Sequence, residues 1–195
     1  MPVTPKILAF AGSLREGSLN KKVLKVAAEG ARGAGAEVTV VDLRDLDMPI
    51  YNADEHEKNG FPPNAVKFQD LLIEHNGLLI CSPEYNGSLP GGMKNALDWV
   101  SRKRDAGQKV YAAFENKVAG IMTASPGSFG GLRCLNHLRG VLTIMTVKVL
   151  PQEIAVTFAD QKFDGDTMTD EKTKKVLENL GAALAGTIKK LHAED

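Results

Sequence analysis

The sequence predicts a single α/β domain in which a five-stranded parallel sheet lies between two layers of helices. Short apolar segments typical of buried strands alternate along the chain with longer segments whose apolar residues recur at helical spacing. Strands that alternate with helices form parallel sheets, because each right-handed crossover returns the chain to the same edge of the sheet. A chain of 195 residues with 43% hydrophobic content is large enough for one such core. We therefore treat residues 1–195 as one domain.

The predicted strands are apolar or β-branched and too short to form stable helices. They are Lys6–Ala11, Glu37–Asp42, Gly77–Ser82, Lys117–Thr123 and Val147–Leu150, the last of which ends before Pro151. Helices are predicted from Leu19 onward and over Ala65–His75, Met93–Val100 and Gly131–Val141, and a last helix carries an apolar stripe from Leu177 to Leu191. Five strands connected in this way favour the flavodoxin-like order 2-1-3-4-5, with helices on both faces of the sheet.

Charge and cysteine content exclude several classes of protein. Lysine plus arginine equals aspartate plus glutamate at 24 each, so no overall field attracts the chain to nucleic acid or to an anionic membrane. Cys81 and Cys134 form no CxxC pair and the four histidines show no metal-ligand spacing, so we predict neither a metal site nor a disulfide. The start of the chain lacks a signal-peptide pattern, and no apolar run approaches the roughly 20 residues that span a bilayer. We expect a cytoplasmic protein without membrane insertion.

The loop after the first predicted strand, Gly12 to Asn20, has the composition of an anion site. Its glycines let the backbone present N–H groups, and the N-terminus of the following helix contributes about half a positive charge. Ser13 and Ser18 supply hydroxyl donors, and the guanidinium of Arg15 suits two phosphate oxygens. We interpret the loop as the site of a dianionic phosphomonoester. The alternative is that Ser18 only caps the helix and Arg15 is solvated.

The same loop lacks the motifs of two nucleotide-binding folds. No lysine follows Gly17, so the loop does not match the P-loop of an NTPase. Leu14 occupies the position at which a dinucleotide-binding GxGxxG motif has its second glycine. We therefore expect a nicotinamide dinucleotide as a visiting substrate rather than as a permanently bound group.

The loops after the third and fourth predicted strands suit a flat heteroaromatic ligand. Cys81 to Gly92 contains rigid prolines, several glycines, the ring of Tyr85 and the amide of Asn86, and Thr123 to Gly131 is rich in glycine and serine. In the order 2-1-3-4-5 the strand order reverses between strands one and three, and ligands bind at the carboxyl ends of the strands at such a point. We expect the three loops to converge there. The alternative is that the second and third loops are ordinary turns before helices.

At these residues the chain resembles the NADPH-dependent FMN reductase family, in particular its branch of bacterial chromate and quinone reductases. The resemblance covers about Lys6 to Glu153 and rests on three motifs that stand in the family's order. They are Gly12-Ser13-Leu14-Arg15 with Ser18 and Asn20, then Pro83-Glu84-Tyr85-Asn86-Gly87-Ser88 with Pro90-Gly91, then Ser125-Pro126-Gly127 with Gly130-Gly131.

The resemblance implies FMN as the cofactor, with its phosphate on Ser13, Arg15, Ser18 and Asn20, and its isoalloxazine ring against Pro83 to Gly87 and the loop Ser125 to Gly127. The cofactor-binding residues that it assigns are Ser13, Arg15, Ser18, Leu19, Asn20, Pro83, Glu84, Tyr85, Asn86, Gly87, Ser125 and Gly127. It also implies a homodimer or homotetramer, with Arg133 and Glu153 in a polar network between subunits. Asn136 departs from the pattern, since relatives often carry tyrosine there.

We expect an enzyme that oxidises NADPH or NADH and passes the electrons, by a ping-pong reaction, to quinones or similar small acceptors. Reduction of chromate or other metal oxyanions would be a side activity. The flavin carries the redox chemistry, so no residue is assigned as a catalytic acid or base. Two alternatives are a flavodoxin-like carrier of single electrons between proteins and a regulatory module that only binds FMN. The neutral charge argues against the carrier, because such proteins usually present an acidic docking face.

Overall fold

In the computed structural model, which describes residues 3–192, strands and helices alternate along the chain as predicted. The strands of the main sheet are β1 (Lys6–Ala11), β2 (Glu37–Asp42), β3 (Gly77–Cys81), β4 (Val118–Ala124) and β5 (Lys148–Val156). The helices are α1 (Leu19–Gly33), α2 (Ala53–Asn59), α3 (Pro63–Glu74), α4 (Gly91–Val100), α5 (Leu132–Ile144) and α6 (Glu171–Leu191). A small antiparallel hairpin of β6 (Phe163–Asp164) and β7 (Thr167–Met168) precedes α6.

The main sheet is parallel throughout, with the strand order β2-β1-β3-β4-β5, so the predicted fold class is confirmed. Successive side chains of β1 enter two different cores. Ile7 and Ala9 pack with α1 and α6, whereas Leu8 and Phe10 pack with α3, α4 and α5. Because both faces of the sheet are covered, the central strands are continuous apolar runs rather than alternating ones.

The fifth strand is longer than predicted. The predicted end at Leu150 is wrong, because β5 continues past Pro151 to Val156. This strand lies at the edge of the sheet, and its register with β4 shifts between Val149 and Glu153. A proline, which has no N–H to donate, is tolerated in an edge strand where a bulge interrupts the ladder.

Two elements have no counterpart in the sequence prediction. Helix α2 buries no side chain, so it has no apolar face for a periodicity to reveal. The β6–β7 hairpin contains only two residues in each strand. Nowhere in residues 3–192 does a helix combine the length and the apolar character that crossing a bilayer requires.

Helices α1 and α6 approach each other closely enough to bring their backbones into contact. A Cβ atom on Gly181 would lie 2.0 Å from the carbonyl oxygen of Ala27, and one on Gly30 would lie 2.1 Å from the carbonyl oxygen of Glu178. Any side chain at either position would push the two helices apart. A Cβ atom on Gly186, farther along α6, would meet no atom within 4 Å apart from its chain neighbours and the nearby backbone of its own helix.

The glycine contact predicts opposite effects of the same substitution at two positions of α6. Gly181→Ala should lower the free energy of unfolding by more than about 2 kcal/mol, because the backbones must separate. Gly186→Ala should leave it unchanged or raise it by up to about 1 kcal/mol, because alanine favours helix over glycine. Urea unfolding followed by circular dichroism measures both, and equal effects of the two substitutions would contradict the close contact.

A lysine is buried at the amino-terminal end of the sheet. Lys117, which directly precedes β4, is only 4% exposed, and its Nζ donates a hydrogen bond to the carbonyl oxygen of His75 at 2.5 Å. Burial lowers the pKa of Lys117 from its usual 10.5 to about 8. The folded chain therefore binds fewer protons than the unfolded chain between these two pH values, and stability contributed at this residue rises with pH.

Comparison with Lys117→Met isolates this effect from other titrating groups. The free energy of unfolding of the wild type, relative to that of the variant, should rise by up to about 3 kcal/mol between pH 8 and pH 10.5. Urea unfolding of both proteins across this range provides the measurement. A difference that does not change with pH would show that Lys117 titrates normally.

Candidate functional site

Three loops leave the same edge of the sheet, two of them at one level and the third two residues farther along its strand. The register aligns Ala11 of β1 with Cys81 of β3, and Cys81 with Met122 of β4. We call the segments that follow the first loop (residues 12–18), the second loop (residues 82–90) and the third loop (residues 125–131). Their positions agree with the predicted convergence at the reversal of strand order.

The first loop places two buried hydroxyl groups beside the start of α1. Ser18 caps the helix, its Oγ accepting a hydrogen bond from the N–H of Lys21 at 3.4 Å, and the Oγ of Ser13 accepts one from the N–H of Arg15 at 3.3 Å. Both serines are 3% exposed. Each hydroxyl accepts in these bonds, so its hydrogen remains available to a ligand.

The N-terminus of α1 adds backbone donors and a positive field to this cradle. The hydrogen bonds within the helix begin with the N–H of Lys22, which donates to the carbonyl oxygen of Ser18 at 3.2 Å. The N–H groups of Leu19 and Asn20 precede this ladder and have no helical acceptor. Arg15 is exposed, and its guanidinium makes no hydrogen bond or ion pair with the described residues. Together these groups suit a phosphomonoester dianion.

The second loop contains a tight turn that presents an aromatic ring. The backbones of Tyr85 and Ser88 exchange two hydrogen bonds, of 3.0 and 3.1 Å. Between them Asn86 and Gly87 have φ angles of 52° and 78°, which is the pattern of a type I′ turn and explains the Asn-Gly pair. The turn leaves Tyr85 49% exposed.

Glu84 joins the second loop to the helix that follows the third loop. Its carboxylate accepts a hydrogen bond from Nε of Arg133 at 2.9 Å and another from the backbone N–H of Cys134 at 3.2 Å. The N–H of Cys134 is shared between Glu84 and the carbonyl oxygen of Gly131, at 3.1 Å, and a negative charge in the first turn of α5 favours the helix dipole. The carboxylate of Glu84 is thus committed to α5.

The third loop is fixed to the end of β5. The N–H of Ser125 donates to the carbonyl oxygen of Val156 at 3.1 Å, and the carbonyl oxygen of Ser125 accepts from the N–H of Ala159 at 3.0 Å. The Oγ of Ser125 accepts from the N–H of Gly127 at 3.1 Å. Residues 125–127 therefore have little freedom before any ligand is present.

A cleft of about 150 Å³ lies between the three loops. Nine of the twelve predicted cofactor-binding residues line it: Ser13, Arg15, Ser18, Leu19, Asn20, Pro83, Glu84, Tyr85 and Ser125. Ala124 and Pro126 also line it, although the sequence analysis does not assign them. The remaining predicted residues, Asn86, Gly87 and Gly127, lie in the flanking turns.

A second cleft, of about 350 Å³, lies next to the first. The two share Arg15 and Tyr85, and the second is bounded by Gly12, Leu14 and Pro90 to Gly92. A ligand with a phosphate at one end and a flat ring at the other can extend from the anion cradle past Tyr85. The residues present therefore fit the predicted phosphorylated heteroaromatic group.

A larger cleft, of about 440 Å³, lies on the other side of the first loop, between α1 and β2. Each of its basic side chains already has a carboxylate partner within the chain, although two carboxylates serve four cations. Lys21 and Arg44 pair with Asp42 at 2.6 and 3.0 Å, and Lys22 pairs with Asp166 at 3.2 Å. Desolvation by burial raises the pKa of Asp42, but the hydrogen bonds from Lys21 and Arg44 together outweigh it, so the pKa lies below its usual value. We favour the smaller cleft as the anion site, because its guanidinium and hydroxyl donors are unpaired.

Both cysteines are free and buried beneath the loops. Burial, with a smaller effect from Cys134, raises the pKa of the Cys81 thiol well above its usual 9. Burial also raises the pKa of the Cys134 thiol, partly offset by its hydrogen bond to Ser82. Neither thiol is poised as a nucleophile. Among the described residues, no group of three or more metal-ligating side chains is close enough to hold an ion.

Comparisons with known proteins identify the family. Residues 5–161 match the family model described as NADPH-dependent FMN reductase. An NAD(P)H-dependent FMN reductase of Pseudomonas aeruginosa is 34% identical over 188 residues, covering 95% of this chain and 96% of that protein. An NAD(P)H:quinone oxidoreductase of Solanum tuberosum is 35% identical over 192 residues, covering 95% and 94%.

A solved structure agrees with these sequence matches. A flavoenzyme NAD(P)H:(acceptor) oxidoreductase from Paracoccus denitrificans superposes with a TM-score of 0.81 at 30% identity, covering 96% of this chain and 98% of that chain. The family predicted from the three loop motifs is therefore confirmed. The chain belongs to the NADPH-dependent FMN reductase family.

Proposed function

We propose that this chain is an FMN-dependent NAD(P)H oxidoreductase that passes electrons to quinones or similar small acceptors. The observation that carries the proposal is the convergence of the three loops on one cleft with an unpaired anion cradle at one end. The names of the relatives support it, since they describe FMN and quinone reductases that use NAD(P)H.

The two ends of the cleft have different tasks in this proposal. Ser13, Arg15, Ser18 and the first N–H groups of α1 would hold the phosphate of FMN. The segments 83–87 and 125–127 would hold the ring. Bound FMN would supply the redox chemistry, taking a hydride from a reduced nicotinamide and giving electrons to an acceptor.

In this proposal the protein binds the cofactor, orients its ring and leaves the ring accessible to the two substrates. The carboxylate of Glu84 is engaged with Arg133 and the N–H of Cys134, so it does not serve as an acid or base. Tyr85 and Pro126 are exposed at the rim of the cleft, which leaves room for donor and acceptor to enter in turn. We assign no catalytic acid or base, and chromate would be reduced only as an adventitious acceptor.

We further propose that the protein is a homodimer or homotetramer in the cytoplasm. Phe129 and Leu132, beside the third loop, are 67% and 48% exposed, and an apolar pair of this kind favours burial against another subunit. Within the chain Arg133 pairs with Glu84, and Glu153 pairs with Arg139, so a network between subunits would extend these pairs. Two free thiols and a reduced nicotinamide donor suit a reducing compartment.

The proposal predicts a two-stage spectral change. Protein loaded with FMN should lose its visible flavin absorption on anaerobic addition of NADPH or NADH and regain it on addition of a benzoquinone. An absorption spectrum at each stage provides the measurement. Bound FMN that neither nicotinamide reduces would favour a carrier or a regulatory module, and failure to bind FMN would contradict the proposal.

Substitution of two arginines tests which of the two clefts holds the phosphate. Arg15→Ala should weaken FMN binding by about 10- to 100-fold, because a charge-assisted contact with the phosphate is lost. Arg44→Ala, the matched control in the larger cleft, should leave the affinity unchanged. Calorimetric titration of the two apoproteins with FMN measures both. The opposite result would place the phosphate beside Asp42.

A further inference from the structure

The side chain of Asn20 makes an unusual contact for a residue in the first turn of a helix. It is 4% exposed and reaches the backbone of Ala124, which is 104 residues away in the chain. Its Nδ2 donates to the carbonyl oxygen of Ala124 at 2.9 Å, and its Oδ1 accepts from the N–H of the same residue at 3.0 Å. Both backbone groups of one residue are thus bonded by one side chain.

The side chain of Asn20 takes the place of a peptide group that β3 does not extend far enough to supply. β3 pairs with β4 only as far as Cys81 and Met122, and the last bond on that side runs from the N–H of Ser82 to the carbonyl oxygen of Met122. Ala124, two residues farther along β4, therefore has no strand partner on the β3 side. A side-chain amide has the donor and acceptor of a peptide group, and that of Asn20 occupies the place of the next peptide.

A third bond holds the amide in position. The thiol of Cys81 donates to Oδ1 of Asn20 at 3.2 Å. Because burial raises the pKa of this thiol, it keeps its proton at neutral pH and remains a donor. Aspartate at position 20 would lack the donor for the carbonyl oxygen of Ala124, and alanine would lack both groups.

We infer that Asn20 is a positioning residue that fixes the third loop, and with it the ring end of the cleft, to the phosphate end. The inference rests on the proposed function, since it assumes that FMN occupies the cleft. Ser125 follows Ala124 directly and is bonded to Val156 of β5 on the other side. The start of the third loop is thus held by Asn20 on one side and by β5 on the other before the cofactor binds.

Comparison of FMN with riboflavin, which lacks the phosphate, tests this role. A residue that contacts only phosphate affects FMN binding and leaves riboflavin binding unchanged, whereas a residue that positions the ring pocket affects both. Asn20→Ala should lower the affinity for FMN and for riboflavin by the same factor, about tenfold for the loss of one or two hydrogen bonds. Arg15→Ala, the phosphate control, should lower only the affinity for FMN.

Amide hydrogen exchange of the apoprotein gives a second readout that needs no flavin. In Asn20→Ala the exchange of Ala124 and of residues 125–131 should accelerate, while β1 and β3 stay protected. If that variant does not fold, Asn20→Asp, which keeps the shape and the acceptor, takes its place in both measurements with the same expectation for riboflavin.

The outcomes separate the two proposals. Loss of FMN affinity alone would make Asn20 a phosphate ligand and overturn the inference, as would unchanged affinity for both flavins or unchanged exchange in the third loop. If the wild type binds neither flavin, the proposed function fails, and the inference about the ring end falls with it. Parallel losses for both flavins, with faster exchange in the third loop, support the positioning role.

Discussion

The register of three neighbouring parallel strands is the constraint on which the cleft depends. Ala11, Cys81 and Met122 lie side by side, so the chain leaves β1 and β3 at one level and β4 only two residues later. The N–H of Gly12 still donates to the carbonyl oxygen of Cys81, at 2.9 Å, which holds the start of the first loop against β3. A shift in this register would separate the anion cradle from the second and third loops.

Side chains then connect the loops to one another. Glu84 links the second loop to α5, and the Nδ1 of His137 lies 2.8 Å from the Oγ of Ser88, which holds the Tyr85 turn to the same helix. Asn20 links α1 to the end of β4. These contacts order the loops in the folded chain itself, and preorganisation of this kind lowers the entropic cost of binding.

The parts of the site that the sequence reveals are those determined by neighbours in the chain. Ser13, Arg15 and Ser18 share one strand–loop–helix unit, so their convergence follows from local structure. The partner of Asn20 is 104 residues away and the partners of Glu84 are about 50 residues away, so periodicity and composition hold no information about those contacts. The strand order follows from alternating strands and helices, but the passage of β5 through Pro151 depends on its edge position, which only the assembled sheet determines.

The distribution of polar groups along the cleft explains why selectivity should be greater for the cofactor than for the acceptor. At the end that we propose for the phosphate, two buried serines, unpaired N–H groups and Arg15 face one small region. A site of this kind discriminates strongly, because an unsuitable ligand leaves its donors unsatisfied. At the open end Tyr85, Pro90 and the glycines of the second cleft offer shape and contact area with few directed bonds. Discrimination by such surfaces amounts to only about 1–3 kcal/mol between similar ligands. A flat acceptor is therefore selected mainly by whether it can reach the ring.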